Sequence, residues 1–176
     1  MFAGLYWIDG SWPGKLAIVA RPRGGDWLED EARSWAHSGL QVIVSLLTPE
    51  ETATFDLTNE AALCSSNGIE FVSFPIPDRE VPSSRSETLR LVKGLDGYLA
   101  TGKAVGIHCR QGIGRSGLVA ACLLVSSGVP PAVAFNRISE ARGRPVPETN
   151  GQREWVEAFA PQLVPHKQAP LRAREG

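Results

Sequence analysis

Ten residues near the middle of the chain combine a cysteine, two arginines and three glycines in a pattern that could bind a phosphate group. They run His108-Cys109-Arg110-Gln111-Gly112-Ile113-Gly114-Arg115-Ser116-Gly117. A short apolar run, residues 103–108, leads into them, and the apolar residues 118–127 follow, so the pattern predicts a strand, a loop and a helix. Such a loop can turn backbone N–H groups and the positive end of the helix dipole toward an anion.

Cys109 opens this loop and is the candidate nucleophile. A helix N-terminus favours the thiolate form of a nearby thiol, and a thiolate can attack phosphorus. Arg115 supplies a planar guanidinium that can hold two phosphoryl oxygens, Ser116 can donate a hydrogen bond to the sulfur when it leaves, and His108 is expected to fix the loop. The predicted phosphate-binding residues are Arg110, Gln111, Gly112, Ile113, Gly114 and Arg115.

The motif resembles a known enzyme family. His108 and Cys109, followed after five residues by Arg115 and Ser116, resemble the signature of the cysteine-dependent protein tyrosine phosphatases, and residues 113–117 are similar to its dual-specificity branch. Residues 75–78 and 81–82 resemble the acid loop of small, atypical members of that branch. The resemblance implies hydrolysis in two steps through a phosphocysteine intermediate, without a cofactor. No stretch resembles the phosphotyrosine-recognition loop of the tyrosine-specific enzymes, which implies a shallower pocket that also admits phosphoserine and phosphothreonine.

The same resemblance extends to two further segments. Members of the family carry a general-acid aspartate on a separate loop upstream of the cysteine, and Asp78, within the proline-rich residues 75–82, is similarly placed. It would protonate the leaving oxygen and then deprotonate the attacking water. Gln152 resembles the glutamine that positions this water in related enzymes.

Charged residues around the motif leave two questions open. Arg79, Arg110 and Gln111 could line the rim of the pocket and suit an acidic peptide or a polyphosphorylated substrate, or they could be ordinary solubilising surface. Glu50 and Glu51 could stabilise the first turn of a helix, or one of them could brace Arg115. The sequence does not distinguish these alternatives.

Three other classes of function use similar residues. Phosphoinositide, inositol-phosphate and RNA 5′-phosphate phosphatases use the same loop, but the usual lipid-phosphatase loop carries lysines between its cysteine and arginine, whereas here Arg110 is the only basic residue. A pseudophosphatase would bind phosphorylated partners without turnover, and the intact nucleophile, clamp and acid argue against it. A sulfur-transfer or arsenate-reducing enzyme should lack the separate acid and use another catalytic thiol.

The elements that must position these residues alternate along the chain. Apolar runs predict strands, and helical spacing with capping patterns predicts helices. The predicted strands are residues 5–8, 16–20, 41–47, 69–74 and 103–108, the first two as edge strands. Six helices are predicted. The first follows a capping box at Asp26 and Glu29 and ends at Gly39, the second spans 49–66, and the third runs from a Ser84 cap to Gly102. The last three span 118–127, 130–142 and 148–160. This order predicts an α/β fold, a single-domain sandwich whose mainly parallel central sheet of about five strands is flanked by helices. Residues 1–162 would form the phosphatase domain, and residues 163–176 a frayed tail.

Composition and net charge limit the classes of binding partner that the sequence favours. With 18 Lys and Arg against 19 Asp and Glu, the net charge of −1 does not favour nucleic acid or an anionic membrane. The three cysteines do not suggest a disulfide framework, and no run approaches the roughly 18 apolar residues of a membrane span. We therefore expect a cytoplasmic monomer that acts on a phosphorylated protein or peptide. Cys64 and Cys122 are expected to pack in the core, and His37, His108 and His166 show no metal-ligand spacing, which predicts no metal site.

Overall fold

Five short strands form a single sheet in the order β1-β2-β5-β3-β4. The computed structural model describes residues 4–164 of the chain. The strands are β1 (Leu5–Ile8), β2 (Lys15–Val19), β3 (Val42–Ser45), β4 (Glu70–Ser73) and β5 (Ala104–His108). Only the β1–β2 pair is antiparallel within the described residues. The mainly parallel sheet is thus confirmed, but the prediction of β2 as an edge strand is wrong, since it lies between β1 and β5.

Helices cover both faces of this sheet. They are α1 (Leu28–His37), α2 (Pro49–Thr54), α3 (Glu60–Ser66), α4 (Arg85–Ala100), α5 (Arg115–Ser126), α6 (Pro131–Arg142) and α7 (Asn150–Leu163), with a 3-10 turn at Gly25–Trp27 before α1. One apolar core joins the sheet to α4, α5, α6 and α7, and a second joins its other face to α1 and α3. Helix α5 is buried from Arg115 to Val125 because it lies at the centre of its layer.

Two predicted helices differ from those observed. Residues 49–66 form α2 and α3, which are separated by a turn where Asp56 has a φ of 55°. The capping box at Asp26 does not form, because Asp26 lies in the 3-10 turn and α1 begins after Trp27 without a side-chain cap. The Gly25 N–H donates instead to the Asp56 carbonyl at 3.0 Å. Contact between these two distant turns therefore overrides the local capping pattern.

The C-terminal end of the chain is described only in part. Helix α7 extends to Leu163, which is buried, so it reaches the first residue of the predicted tail. His166 and the rest of that tail, residues 165–176, lie outside the described residues. Within residues 4–164 no helix is long and apolar enough to cross a membrane.

Backbone hydrogen bonds align three loops at one edge of the sheet. β3, β4 and β5 are parallel, so their carboxyl ends lie at the same edge. The Leu46 N–H after β3 donates to the His108 carbonyl at 3.0 Å, and the Ile76 N–H after β4 donates to the Leu46 carbonyl at 3.1 Å. The loops that follow β3, β4 and β5 are therefore fixed relative to one another, and they carry the candidate site residues.

Gly117 provides a test of how closely α5 is packed. A Cβ at Gly117 would lie 2.2 Å from Val146 Cγ1, and Val146 is buried. We expect Gly117→Ala to lower the free energy of unfolding by about 1–3 kcal/mol, because a β-branched buried side chain cannot easily move aside. Urea unfolding measures this change.

The matched control is Gly97→Ala in α4, where a Cβ would meet nothing within 4 Å. This substitution should be neutral or stabilise the protein by about 0.5–1 kcal/mol, since alanine is the better helix former. Equal changes for the two variants would show that α5 is not packed as described.

Candidate active site

Cys109 lies at the bottom of the loop between β5 and α5. The residue is 2% exposed. Its Sγ lies 3.2 Å from Ser116 Oγ and 3.3 Å from the backbone N of Gly112, which donates to it. Gly112 has a φ of 67°, a conformation that favours glycine. The sulfur of the predicted nucleophile therefore has two polar neighbours within its own loop, a backbone N–H and a hydroxyl.

Arg142, at the end of α6, holds this loop from outside. Its Nε donates to the Gly112 carbonyl at 2.9 Å and its Nη2 to the Gln111 carbonyl at 3.0 Å. A trans peptide unit points its C=O and N–H in opposite directions. Binding the Gln111 carbonyl outward therefore directs the Gly112 N–H inward, toward Cys109. Sequence reasoning missed Arg142 because nothing local to α6 links it to a loop 30 residues upstream.

Arg115 is buried, and both of its terminal nitrogens donate to acceptors in other segments. Glu51 accepts from its Nη1 at 2.7 Å and from its Nη2 at 2.8 Å, and the Ile76 carbonyl accepts from Nη1 at 2.8 Å. The structure thus resolves the choice that the sequence left open, since the bracing carboxylate belongs to Glu51. Glu51 also caps its own helix, where its Oε2 accepts from the Thr48 N–H at 3.0 Å.

Each member of this ion pair favours the charged form of the other. Partial burial alone would raise the pKa of Glu51, but hydrogen bonds from Arg115 and Thr48 hold that pKa below its ordinary value. Burial alone would lower the pKa of Arg115, but Glu51 and Cys109 raise it above its ordinary value. The clamp therefore stays positively charged despite its burial, and its orientation is fixed by a two-point contact.

Asp78 lies at the mouth of the site, in the loop after β4. Its Oδ1 accepts from Arg115 Nη2 at 2.9 Å, and its Oδ2 is 3.4 Å from Arg110 Nη1. The side chain is 39% exposed, whereas Arg115 is 2% exposed. The predicted general acid and the predicted clamp are thus in direct contact, with the acid on the solvent side.

The next residue, Arg79, forms an ion pair with Glu148. It has a φ of 64°, and its Nη1 donates to Glu148 Oε1 at 3.2 Å. This exposed ion pair connects the loop after β4 to the segment before α7. Of the three predicted rim residues, Arg79 therefore has a carboxylate partner in another loop, while Arg110 contacts Asp78 and Gln111 is exposed.

Gln152 is fully buried against the phosphate loop. It forms a capping box with Thr149, and its Nε2 donates to the Glu80 carbonyl at 3.3 Å. A Cβ at Gly114 would lie 2.9 Å from Gln152 Nε2 and 3.0 Å from its Oε1. The structure therefore places this amide directly beside the loop, and only a glycine at position 114 leaves room for it.

His108 supports the loop from the opposite face of the sheet. Its Nε2 lies 2.6 Å from Glu60 Oε1, both side chains are buried, and its ring stacks on Trp35 with centroids 6.3 Å apart. Glu60 lies in α3 and was not singled out from the sequence. These contacts join the end of β5 to α3 and α1, and the role of His108 in fixing the loop stays a prediction.

The other cysteines pack in the two cores, as predicted. Cys64 and Cys122 are buried and unpaired, and burial raises the pKa of Cys64 to about 12 and also raises that of Cys122. Both thiols therefore stay protonated at neutral pH, unlike a nucleophile. Within residues 4–164 no cluster of three or more His, Cys, Asp or Glu side chains has the arrangement of a metal site.

Comparison with known proteins agrees with this geometry. A family model described as "Polymorphic toxin system, DSP-PTPase phosphatase" matches residues 18–129. The chain is 32% identical over 130 residues to cyclin-dependent kinase inhibitor 3 of Sus scrofa, an alignment that covers 73% of this chain and 61% of the relative. It is 31% identical over 138 residues to protein tyrosine phosphatase domain-containing protein 1 of Danio rerio, covering 72% of this chain and 19% of that protein. The chain thus spans about three fifths of the length of the kinase inhibitor proteins it matches.

Two solved structures have the same fold. Kinase-associated phosphatase with serine in place of its catalytic-site cysteine superposes with a TM-score of 0.82 at 24% identity, covering 92% of this chain and 96% of that one. The active form of Tk-PTP superposes with a TM-score of 0.75 at 27% identity, covering 92% and 99% of the two chains. The arrangement of strands and helices described above is therefore shared with known phosphatases.

Glu51→Gln tests whether the bracing carboxylate is required. We expect a loss of about 1–3 kcal/mol in the free energy of unfolding and a decrease of about 10- to 100-fold in kcat/KM for p-nitrophenyl phosphate, because Arg115 would lose a charged two-point contact. Denaturant unfolding and steady-state kinetics measure the two effects.

The direction of the Glu51 pKa shift determines how the stability loss in Glu51→Gln should depend on pH. The pKa of Glu51 is lower in the folded state than its ordinary value of 4.5, so its stabilising effect is complete above that value and is lost as the pH falls through the folded pKa. The stability gap between the wild type and Glu51→Gln should be constant at neutral pH and shrink below about pH 4.5. The control is Glu50→Gln, on an exposed neighbour. A gap that is equal for both variants, or that widens in acid, would contradict the assignment.

Proposed function

This chain belongs to the DSP-PTPase phosphatase family, within the cysteine-dependent protein tyrosine phosphatases, and we propose that it hydrolyses phosphotyrosine, and also phosphoserine and phosphothreonine, in protein substrates. The observation that carries the proposal is a buried sulfur with two hydrogen-bonding neighbours at the start of a helix whose first residue is an arginine. Cys109 Sγ lies next to Ser116 Oγ and the Gly112 N–H, at the N-terminus of a helix whose first residue, Arg115, is bonded to Asp78.

In the first step the thiolate of Cys109 attacks the phosphorus atom of the substrate. A P–S bond forms as the P–O bond to the leaving oxygen breaks, and protonated Asp78 gives its proton to that oxygen. Backbone N–H groups of the loop and the guanidinium of Arg115 stabilise the charge on the three remaining phosphoryl oxygens. The product is a phosphocysteine on Cys109 and an alcohol or phenol.

In the second step a water molecule hydrolyses this intermediate. Asp78, now a carboxylate, takes a proton from the water. The water oxygen bonds to phosphorus at the same time, and the P–S bond breaks. Ser116 donates a hydrogen bond to the departing sulfur at the distance of 3.2 Å seen between the two atoms. We propose that Gln152, whose amide lies against Gly114, orients the water after exchanging its bond to the Glu80 carbonyl for one to that water.

The geometry of Arg115 supports a role in binding the phosphate. Its Nη1 donates to Glu51 and Ile76, and its Nη2 donates to Glu51 and Asp78, while its Nε makes no hydrogen bond within residues 4–164. A phosphate dianion would accept from the Nε–H and from the Nη2–H that here donates to Asp78. This pair of parallel donors is the fork with which arginine binds phosphate.

The proposed compartment follows from the nucleophile. Cys109 acts only as a reduced thiolate, and the three cysteines, all within the described residues, are unpaired. We therefore propose that the protein acts in a reducing compartment such as the cytoplasm.

Replacing the nucleophile is the direct test of the mechanism. We expect Cys109→Ser to lower the rate of p-nitrophenyl phosphate hydrolysis by about 1,000-fold or more, since a serine at this position is not ionised at neutral pH. The matched control is Cys64→Ala, which removes a buried thiol from α3 and should retain activity after correction for any loss of folded protein. Full activity in Cys109→Ser would overturn the proposed function.

Asp78→Asn tests the general acid by its dependence on the leaving group. We expect kcat to fall by about 100- to 10,000-fold on phosphoserine or phosphothreonine peptides, whose alkoxide needs a proton to leave. The loss should be clearly smaller on p-nitrophenyl phosphate, whose phenolate leaves readily. Asp56→Asn, at an exposed turn residue, serves as the control. An equal loss on both substrates would remove Asp78 from proton transfer.

A further inference from the structure

Two arginines and one aromatic ring form a basic surface beside the phosphate loop, which we name the mouth patch: Arg21, Phe55 and Arg110. The guanidinium carbon of Arg21 lies 3.7 Å from the centroid of the Phe55 ring, and that of Arg110 lies 5.7 Å from the same centroid. Arg110 directly follows Cys109 in the chain. The mouth patch is therefore adjacent to the site of the proposed reaction.

The position of the mouth patch is fixed by contact between two turns. The Gly25 N–H donates to the Asp56 carbonyl at 3.0 Å, and a Cβ at Gly24 would lie 1.9 Å from the Phe55 carbonyl oxygen. The segment that carries Arg21 is thus docked directly on the turn that carries Phe55. A prearranged cation loses less entropy when it binds an anion than a freely moving one does.

Arg21 differs from its neighbours in having no carboxylate partner. Ion pairs join Arg23 to Glu31, Arg79 to Glu148 and Arg115 to Glu51. Among the described residues Arg21 forms no ion pair, and its Nε is buried without a hydrogen-bond partner. Buried donors of this kind are rare and are costly to leave unpaired.

The electrostatic environment of Arg21 also favours an additional anion beside it. Burial lowers its pKa, the positive charge of Arg110 lowers it further, and the charge of Glu51 offsets only part of the effect. Two cations face one ring, and Glu51 is already bound to Arg115. An additional anion at this place would relieve the repulsion between Arg21 and Arg110.

We propose that the mouth patch binds a second anionic group, a phosphate or a carboxylate, of a phosphopeptide whose phosphorylated residue is bound in the loop next to Cys109. The inference rests on the proposed function and adds the substrate class, namely peptides with an acidic group close to the phosphorylated residue. The two terminal nitrogens of Arg21 form no hydrogen bond with the described residues and are not buried as Nε is, so they can bind an anion through two parallel hydrogen bonds. Arg110 contacts Asp78 only at 3.4 Å and is half exposed, so it can also turn toward such a group.

The test measures binding without turnover. In the Cys109→Ser background, fluorescence anisotropy compares three labelled phosphotyrosine peptides that are identical except at one neighbouring position, which is glutamine, glutamate or phosphoserine. We expect the phosphoserine peptide to bind about five- to tenfold more tightly than the glutamine peptide, with the glutamate peptide between them. The advantage should decrease as salt is raised from about 0.1 M to about 0.5 M, because exposed charges are then screened.

Three further substitutions assign the preference to the mouth patch. Arg21→Gln should make the three dissociation constants equal within about twofold, whereas Arg21→Lys, which keeps the charge but loses the fork and the stack, should retain part of the preference. Arg33→Gln removes a charge from the exposed face of α1, where Arg33 pairs with Glu29 and Asp30. This control should keep the whole preference, which excludes an effect of net charge.

The outcomes separate this inference from the proposed function. Equal affinity for the three peptides before any change at Arg21, or an undiminished preference in Arg21→Gln, would overturn the inference. A preference seen only between soluble short-chain phosphatidylinositol mono- and bisphosphates, and not among the peptides, would overturn the assignment to peptide substrates. Failure of the wild-type protein to hydrolyse any of the phosphopeptides would refute the proposed function, whereas the order of binding in the Cys109→Ser background decides the subsite independently.

Discussion

The buried ion pair between Arg115 and Glu51 is the interaction on which the candidate site depends. A guanidinium that is 2% exposed is tolerable only when its charge is paired. Here the two carboxylate oxygens of Glu51 and the Ile76 carbonyl accept from it. These acceptors come from α2 and from the loop after β4, so one side chain of α5 joins three segments that are distant in the sequence. The catalytic geometry and the local stability therefore depend on the same contacts.

The sheet provides the frame for this ion pair. Parallel strands place their carboxyl ends at one edge, and backbone hydrogen bonds link the residues that follow them, from Ile76 to Leu46 and from Leu46 to His108. Helix α5 then begins immediately beyond β5, and its N-terminus faces the anion site. Two further side chains hold the loop from outside: His108 through Glu60 on one face, and Arg142 through the carbonyls of Gln111 and Gly112. Loop shape is thus determined by long-range contacts, even though the residues of the loop are consecutive.

This distinction explains what could be predicted from the sequence. The five strands and the positions of Cys109, Arg115 and Asp78 follow from local patterns of hydrophobicity, glycine and proline, and from a motif that resembles a known family. The choice of Glu51 over Glu50 depends on which side of α2 faces Arg115, and the roles of Arg142 and Glu60 depend on pairings across 30 and 48 residues. The break between α2 and α3 has the same origin, because the turn at Asp56 is paired with Gly25. Local patterns carry no information about such partners.

The contact between Asp78 and Arg115 connects substrate binding to the acid loop. Nη2 of Arg115 donates to Asp78, and in the proposed mechanism the phosphate uses this same N–H. In that mechanism phosphate binding displaces the carboxylate, which is then free to reach the leaving oxygen. The Ile76 carbonyl accepts from Nη1, on the other side of the guanidinium, so the phosphate does not take over this contact. In the proposed mechanism the same arginine serves both as the clamp for the phosphate and as the anchor of the acid loop, and both roles need the orientation that its two-point contact with Glu51 gives it.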